Sequence, residues 1–267
     1  MNTTSLNVTL LDTVNTAAGN ALPLVPAAKR VPSLYEQDAR KYAGPHRWQV
    51  QGWARLVRRW WRPLAYTRWL DRACTTLQVQ GGEHLQGLSG PCVFIANHSS
   101  HLDTLVIDAV LPQAVRERLF FGAAQDRWFV KGKKKLETRP WYQSLALGNF
   151  PILRGGGARA LAYASWLLQR EKHVFLFPEG TRATGAALGK FKHGATLLAL
   201  EHGVPIVPIY LAGLRQLRPK GSQHVKQGAV AVQILPPVTF AKDIGVAEAT
   251  AQLQQQMEAV HAQYCTA

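Results

Sequence analysis

The sequence predicts an α/β domain with a mixed, mostly parallel sheet flanked by helices, preceded by an N-terminal amphipathic, membrane-associating helical segment. Three observations predict this. Short apolar runs bounded by Gly, Pro or polar residues alternate with stretches of helical apolar spacing, the pattern of strands joined by crossover helices. The 267 residues suffice for one domain with a full core plus extensions, and no internal repeat is visible. Residues 46–72 stand apart, with aromatic and basic side chains at helical offsets.

Residues 1–45 are rich in Thr, Asn, Ala and Pro without a sustained apolar period, which predicts a disordered tail. A short amphipathic piece there holds Leu6, Val8, Leu10 and Leu11. The segment 46–73 holds five of the eight tryptophans: Trp48, Trp53, Trp60, Trp61 and Trp69. It also holds Arg47, Arg55, Arg58, Arg59, Arg62, Arg68 and Arg72 against the single acid Asp71. Trp53, Leu56, Val57, Trp60, Trp61 and Leu64 fall at helical offsets. An aromatic face and a basic face result, the composition of a helix lying in a membrane interface. Pro63 is expected to bend or end its first part. The same residues also fit a helix that packs its tryptophans on the core and solvates its arginines.

Residues 74–267 carry the α/β pattern. Leu77–Gln80 reads as a strand, with Gly81-Gly82 as its turn. The run from Val93 is a buried strand, and Leu102, Leu105, Val106, Ala109 and Val110 recur at helical spacing behind it. Arg118–Ala124 and Phe150–Leu153 are strands, and a helix over 158–169 follows the glycines 155–157. His173–Phe177, Ile206–Leu211 and Gly228–Leu235 complete the strands. A helix runs from Gly194 to about His202. Another covers 246–262, with Leu253, Met257 and Val260 inward.

Lys and Arg number 31 against 16 acidic residues, a net charge of +15. That excess points to polyanionic partners: phosphate ligands, an anionic membrane or nucleic acid. The helix rich in Trp and Arg could mimic a nucleic-acid surface, but no nucleic acid is expected, because the four sequence blocks described below would then be coincidence. Cys74, Cys92 and Cys265 are scattered, without a disulfide framework or a CxxC metal pattern, which fits a reducing compartment. No uncharged apolar run reaches the ~18–20 residues that span a bilayer. The first residues lack the basic start of a secretory signal.

The chain is organised around Val93-Phe94-Ile95-Ala96-Asn97-His98-Ser99-Ser100-His101-Leu102-Asp103. His98 falls at a strand-to-helix turn, and ligands of open α/β sheets bind at the carboxyl ends of strands. Ser100 and Asp103 have the spacing of a capping box. Asp103 in the first helical turn can reach back to His98, fix its tautomer and leave the other ring nitrogen free to take a proton from an alcohol. The same residues fit a plain helix cap beside a satisfied turn histidine. A zinc set of His98, His101 and Asp103 is the weaker reading, and no metal is expected, because no later His/Cys cluster supplies further ligands.

Three more blocks follow. Gly148-Asn149-Phe150-Pro151-Ile152-Leu153-Arg154 ends a strand in a guanidinium, before glycines that either let backbone N–H groups approach an anion or form a plain flexible turn. In Phe177-Pro178-Glu179-Gly180-Thr181-Arg182, Gly180 permits an unusual turn, Thr181 and Arg182 can donate to phosphate oxygens, and Glu179 can hold Arg182 or a substrate hydroxyl. Phe191-Lys192 precede a helix, and Val204-Pro205-Ile206-Val207-Pro208 opens a core strand. Arg154, Arg182 and Lys192 are expected to converge on one phosphate, though Arg182 and Lys192 also fit a surface pair.

These blocks, in this order and at these distances, resemble the lysophosphatidate acyltransferase (glycerolipid acyltransferase) family over roughly residues 75–215. The resemblance implies a glycerolipid acyltransferase-like sheet and a fatty acyl transfer from acyl-CoA or acyl-ACP to the hydroxyl of a lysophospholipid, most simply lysophosphatidate. His98 is then the general base and Asp103 its orienter. Arg154, Glu179, Gly180, Thr181 and Arg182 bind the acceptor's head group, with Lys192 a weaker member. No cofactor is implied beyond the thioester co-substrate. The sequence does not name the oxyanion donors, for which backbone amides near the start of the helix after His98 are the natural guess. Lys131, Lys133, Lys134 and Lys135 are either a solvated run or a surface for anionic lipid or coenzyme A phosphates. The expected setting is a peripheral membrane protein on the cytoplasmic face. The alternatives are a different lyso-lipid acceptor, amino-acid-based or with a larger head group, and a non-enzymatic lipid-binding protein.

Overall fold

The computed structural model describes residues 41–222, 224–241 and 243–265. Most of the expected tail, with Leu6, Val8, Leu10 and Leu11, lies outside the described residues. Its last residues are bound: Tyr42 bridges Val130, and the Ala43 N–H donates to the Phe129 carbonyl at 2.8 Å.

After a 3₁₀ turn over Arg47–Val50, helix α1 (Gly52–Ala73) runs straight into strand β1 (Cys74–Gln80). Then follow β2 (Val93–Ala96), α2 (Asp103–Val110), β3 (Leu119–Ala124), α3 (Pro140–Ala146) and β4 (Asn149–Ile152). After α4 (Ala162–Leu168) come β5 (His173–Leu176), α5 (Gly194–His202), β6 (Ile206–Ala212), β7 (Gly228–Ile234) and α6 (Val246–Cys265). The seven strands form one sheet in the order β1-β7-β6-β2-β5-β3-β4. Every neighbouring pair is parallel except β6 and β7. This is the mixed, mostly parallel sheet that the strand and helix alternation predicts.

Period two sorts the strand residues onto two cores. Phe94, Ala96, Phe121, Phe175, Val207, Ile209 and Leu211 face one layer, closed by Leu102, Val106 and Ile107 of α2 and by Leu70 and Ala73 of α1. Val93, Ile95, Phe120, Phe150, Val174 and Leu176 face the other, under α4, α5 and the Leu253, Met257 and Val260 face of α6. With helices on both faces, the central strand β2 is buried throughout. Pro151 is tolerated because β4 is a sheet edge.

Three local expectations change. The segment after the glycines starts as a 3₁₀ turn over Gly157–Leu161 before it becomes α4. Ala109 is exposed, and Ile107 takes its place on the buried face of α2. Pro63 neither ends nor divides α1, because it lies on the exposed side of a 22-residue helix.

Of the two orientations open to α1, the structure turns the aromatic face outward. Trp53, Leu56, Trp60, Trp61, Leu64 and Trp69 are all exposed, Trp60 at 71 % and Leu64 at 69 %. The centre of the basic face turns inward instead. Arg58 donates to the Gln49 carbonyl at 2.6 Å, and its guanidinium lies 5.0 Å from the Phe120 ring. Arg62 pairs with Asp108 at 3.1 Å and donates to the carbonyls of Arg116 and Leu147. Burial, then the Arg62 charge, pulls Arg58 down to about 9. These two arginines fasten α1 to the domain, and removing either leaves buried acceptors unpaired.

Candidate active site

Because β2 to β6 are mutually parallel, their carboxyl ends share one edge of the sheet. That edge collects the polar residues following each strand: His98 after β2, Arg127 after β3, Arg154 after β4 and Glu179–Arg182 after β5. Asn97 anchors the turn by exchanging two hydrogen bonds with the Leu211 backbone, at 2.8 and 2.9 Å.

His98 Nδ1–H donates to Asp103 Oδ2 at 2.8 Å. The same oxygen accepts the N–H groups of Ser99 at 2.7 Å and Ser100 at 2.9 Å. Asp103 is fully buried, whereas 19 % of the His98 side chain remains exposed. The carboxylate therefore caps the turn and orients the ring at once. Only half of the expected capping box forms, since the Ser100 hydroxyl accepts the Leu102 N–H and itself donates to the Arg218 carbonyl. The His98 ring stacks on Phe177 with centroids 3.9 Å apart. Among the described residues His98 Nε2 has no hydrogen-bond partner, so it is the ring atom available to a substrate.

Glu179 is buried and acts on the backbone of the turn. Its two oxygens accept the His98 N–H at 2.7 Å and the Gly189 N–H at 3.0 Å. Burial pushes its carboxyl up, while these two hydrogen bonds pull it down. Glu179 thus ties the loop after Arg182 to the His98 turn, rather than holding Arg182. A Cβ at Gly189 would stand 2.6 Å from Glu179 Oε2, so this tie depends on a glycine. The amides expected as oxyanion donors are engaged: those of His98, Ser99, Ser100 and Leu102 all donate to side chains.

Gly180 takes a φ of +69°, and a Cβ there would lie 2.8 Å from Lys192 Nζ, which places the Lys192 ammonium over the turn. Lys220 reaches the Thr181 hydroxyl at 3.5 Å and the Arg182 carbonyl at 3.3 Å. Arg127 lies 2.9 Å from His101 Nε2. Burial, followed by Arg182, Arg127, Arg218 and His98, drives His101 down to about 3. Arg127 thus touches His101, and Arg182 and Arg218 bear on its charge, next to the His98 turn. Arg154 is not part of this group. It stands two strands from β5 on the same edge, with its guanidinium held by Asp126 at 3.1 Å. The structure therefore gathers Arg182, Lys192, Arg127, Arg218 and Lys220, where the sequence reading gathered Arg182, Lys192 and Arg154. Arg127 and Arg218 follow the ends of β3 and β6, a position that marks them once the sheet order is known.

Among the described residues no three His, Cys, Asp or Glu side chains are grouped as a metal site. A partly exposed histidine with one nitrogen fixed by a buried carboxylate, beside clustered cations, is suited to deprotonating a hydroxyl on a phosphorylated molecule.

A family model described as Acyltransferase matches residues 76–212, just over half of the chain. The chain belongs to the acyltransferase family. It is 32 % identical over 187 residues to the chloroplastic 1-acyl-sn-glycerol-3-phosphate acyltransferase BAT2 of Brassica napus, covering 68 % of this chain and 51 % of that protein. It is 32 % identical over 167 residues to the human 1-acyl-sn-glycerol-3-phosphate acyltransferase alpha, covering 61 % of this chain and 54 % of that one. For the 1-acyl-sn-glycerol-3-phosphate acyltransferase of Pseudomonas aeruginosa the identity is 30 %, covering 80 % and 75 %. The chain thus spans about half the length of the plant and human relatives it matches. The crystal structure of the 1-acyl-sn-glycerophosphate (LPA) acyltransferase PlsC of Thermotoga maritima superposes with a TM-score of 0.60 at 23 % identity, covering 79 % of both chains. That likeness gives the acyltransferase the same fold. The matched region runs from β1 to the end of β6 and contains His98, Asp103 and the Glu179–Arg182 turn.

Proposed function

We propose that the protein transfers a fatty acyl group from acyl-CoA or acyl-ACP to the free hydroxyl of lysophosphatidate, giving phosphatidate. The observation that carries this reading is the buried Asp103 carboxylate on His98 Nδ1, which leaves Nε2 facing outward as a base. The relatives' names agree in the acceptor they specify.

The acceptor hydroxyl gives its proton to His98 Nε2 as its oxygen attacks the thioester carbonyl carbon. The C–O bond forms, and the carbonyl electrons move onto oxygen. When the tetrahedral intermediate collapses, the C–S bond breaks and the thiolate takes the proton from His98. No acyl-enzyme is needed, because the acceptor oxygen is itself the nucleophile. Asp103 stabilises the transient imidazolium and keeps the productive tautomer. Arg182, Lys192 and their cationic neighbours hold the acceptor phosphate, since crowded cations are relieved by an anion. Arg154, one strand beyond Arg127, joins them on release from Asp126.

We further propose a peripheral protein on the cytoplasmic face, with residues 46–73 as the membrane-associating segment and 74–267 as the acyltransferase domain. The exposed tryptophan and leucine face of α1 supports this, and no helix among the described residues is long and apolar enough to cross a membrane. The test is incubation of the purified protein with several lyso-lipids and, in turn, one acyl-CoA and one acyl-ACP, with product masses measured. Phosphatidate is the expected product. Acylation of another lyso-lipid in its place overturns the acceptor, and no acylation with either thioester carrier overturns the activity.

A further inference from the structure

Beside the exposed face of α1 opens a cavity of about 370 Å³ that acyl transfer does not use. Five arginines line it: Arg55, Arg58, Arg59, Arg62 and Arg116. Two carboxylates oppose them, Asp108 holding Arg62 at 3.1 Å and Glu117 holding Arg59 at 3.2 Å. Three positive charges remain unanswered. The Arg62 side chain is only 4 % exposed, yet its Nε–H has no acceptor, and neither has the buried Nε–H of Arg116. Those two atoms lie beneath the cavity surface, but arginines that have no carboxylate of their own favour an anion that brings acceptor oxygens to their guanidinium ends. Trp60 and Leu64 line the same cavity and are the most exposed apolar side chains of α1, so the cavity is continuous with the membrane-facing surface.

We propose that this cavity binds the phosphate of an anionic phospholipid in the membrane on which α1 lies. The proposal rests on the membrane reading of α1. The site is separate from the acceptor site. Arg116 precedes β3, whereas Arg127 follows the carboxyl end of that strand, and six strand residues separate the two by roughly 20 Å. A lipid held here keeps the domain on an anionic surface while the reacting lipid occupies the edge at His98.

The test is sedimentation of the full chain with phosphatidylcholine vesicles, with and without phosphatidylglycerol, at fixed salt. Arg55→Gln with Arg116→Gln is expected to weaken binding to the anionic vesicles by roughly tenfold. The charge-matched pair Arg159→Gln with Lys226→Gln, both exposed and outside the cavity, is expected to change it much less. Glu117→Gln, which removes an opposing carboxylate, is expected to strengthen it. Equal losses from the two double variants would mean diffuse attraction and would overturn the site. So would weaker binding by Glu117→Gln, or lost activity of Arg55→Gln with Arg116→Gln on a short-chain soluble acceptor. A thermal shift with inorganic phosphate alone, abolished by the same double variant while vesicle binding is unchanged, would make this a free-anion site. If Trp60→Ala with Leu64→Ala leaves all vesicle binding intact, the membrane reading itself fails. If that variant loses binding while Arg55→Gln with Arg116→Gln matches wild type, the cavity proposal alone fails.

Discussion

Asp103 Oδ2 lies 2.8 Å from His98 Nδ1 and is the same oxygen that accepts the amides of Ser99 and Ser100. One buried atom therefore serves the turn and the ring together, and its substitution has separable consequences for folding and for turnover. The Glu179 carboxylate secures the other side of the same turn through the His98 N–H. The ring is thus placed by two acids that never contact its free nitrogen.

His98→Ala is expected to lower turnover by about 10²–10⁴, the usual worth of a general base. Asp103→Asn keeps an acceptor oxygen for the amides but loses the charge that stabilises the imidazolium. It should cost about 1 kcal/mol of stability through the cap and impair turnover per folded molecule as well. Chemical denaturation alongside turnover of the folded fraction separates the two effects. Full turnover in folded Asp103→Asn would leave only the cap.

The acceptor's phosphate should be felt most at Arg182. Arg182→Ala and Arg127→Ala are expected to raise the acceptor KM with the thioester KM little changed, the mark of lost ground-state binding. Lysine at 182 should restore binding only in part, because a point charge does not reproduce a guanidinium fork. Arg154→Ala should have a smaller effect, since Asp126 already occupies that guanidinium. Asp126→Asn should lower the acceptor KM by freeing it. Steady-state kinetics with both substrates varied decides the matter, and effects confined to the thioester would reassign the cluster to the donor.

The sheet was legible in the sequence because its inner strands β2, β5 and β6 are short apolar runs closed by turn residues and buried almost throughout, whereas the edge strand β1 is polar and exposed along most of its length. His98 and Asp103 were legible because five residues separate them across a turn. Arg127, Arg218 and Lys220 were not. They lie at 29, 120 and 122 positions from His98, and only the β2-β5-β3 and β2-β6 neighbourhoods bring them to one edge. The orientation of α1 was equally hidden. Its aromatic and basic faces are plain in the helical spacing, but which face meets the domain depends on Asp108 and the carbonyls waiting for Arg58 and Arg62.

Stability should fall on acidification through His173. This histidine is buried, and its Nδ1 accepts the Cys92 N–H at 3.2 Å. Burial, then Arg118 and Lys172, brings it from 6.5 down to about 4. Between those values the unfolded chain binds the proton and the folded chain does not, so the stabilisation present above about 6.5 is lost as the pH drops towards 4. His173→Phe removes the titration and leaves the Cys92 amide unpaired, at a cost of roughly 1–3 kcal/mol at neutral pH. The gap between wild type and variant should therefore narrow on acidification. Urea midpoints at neutral and mildly acidic pH test this, and a constant gap would remove His173 as a titrating group.

Membrane attachment should have a part that salt cannot remove. The exposed arginines of α1, Arg55 and Arg59 among them, attract an anionic surface by roughly 1 kcal/mol each, an interaction screened within a Debye length. Trp60 and Leu64 add burial of roughly 1.5–3 kcal/mol for a large apolar side chain, which salt does not weaken. Trp61 is the less clean site to change, because its indole N–H donates to the Tyr142 hydroxyl at 2.8 Å and ties α1 to α3. High salt should release the wild-type protein from anionic vesicles only in part, and should release Trp60→Ala with Leu64→Ala almost completely. That variant should lose activity on bilayer-embedded acceptor and keep it on a short-chain, water-soluble one, since His98 and Asp103 are untouched. Sedimentation across a salt series, paired with the two assays, checks both halves. Equal loss on both acceptors would mean that α1 supports the catalytic edge through the fold and not through the membrane.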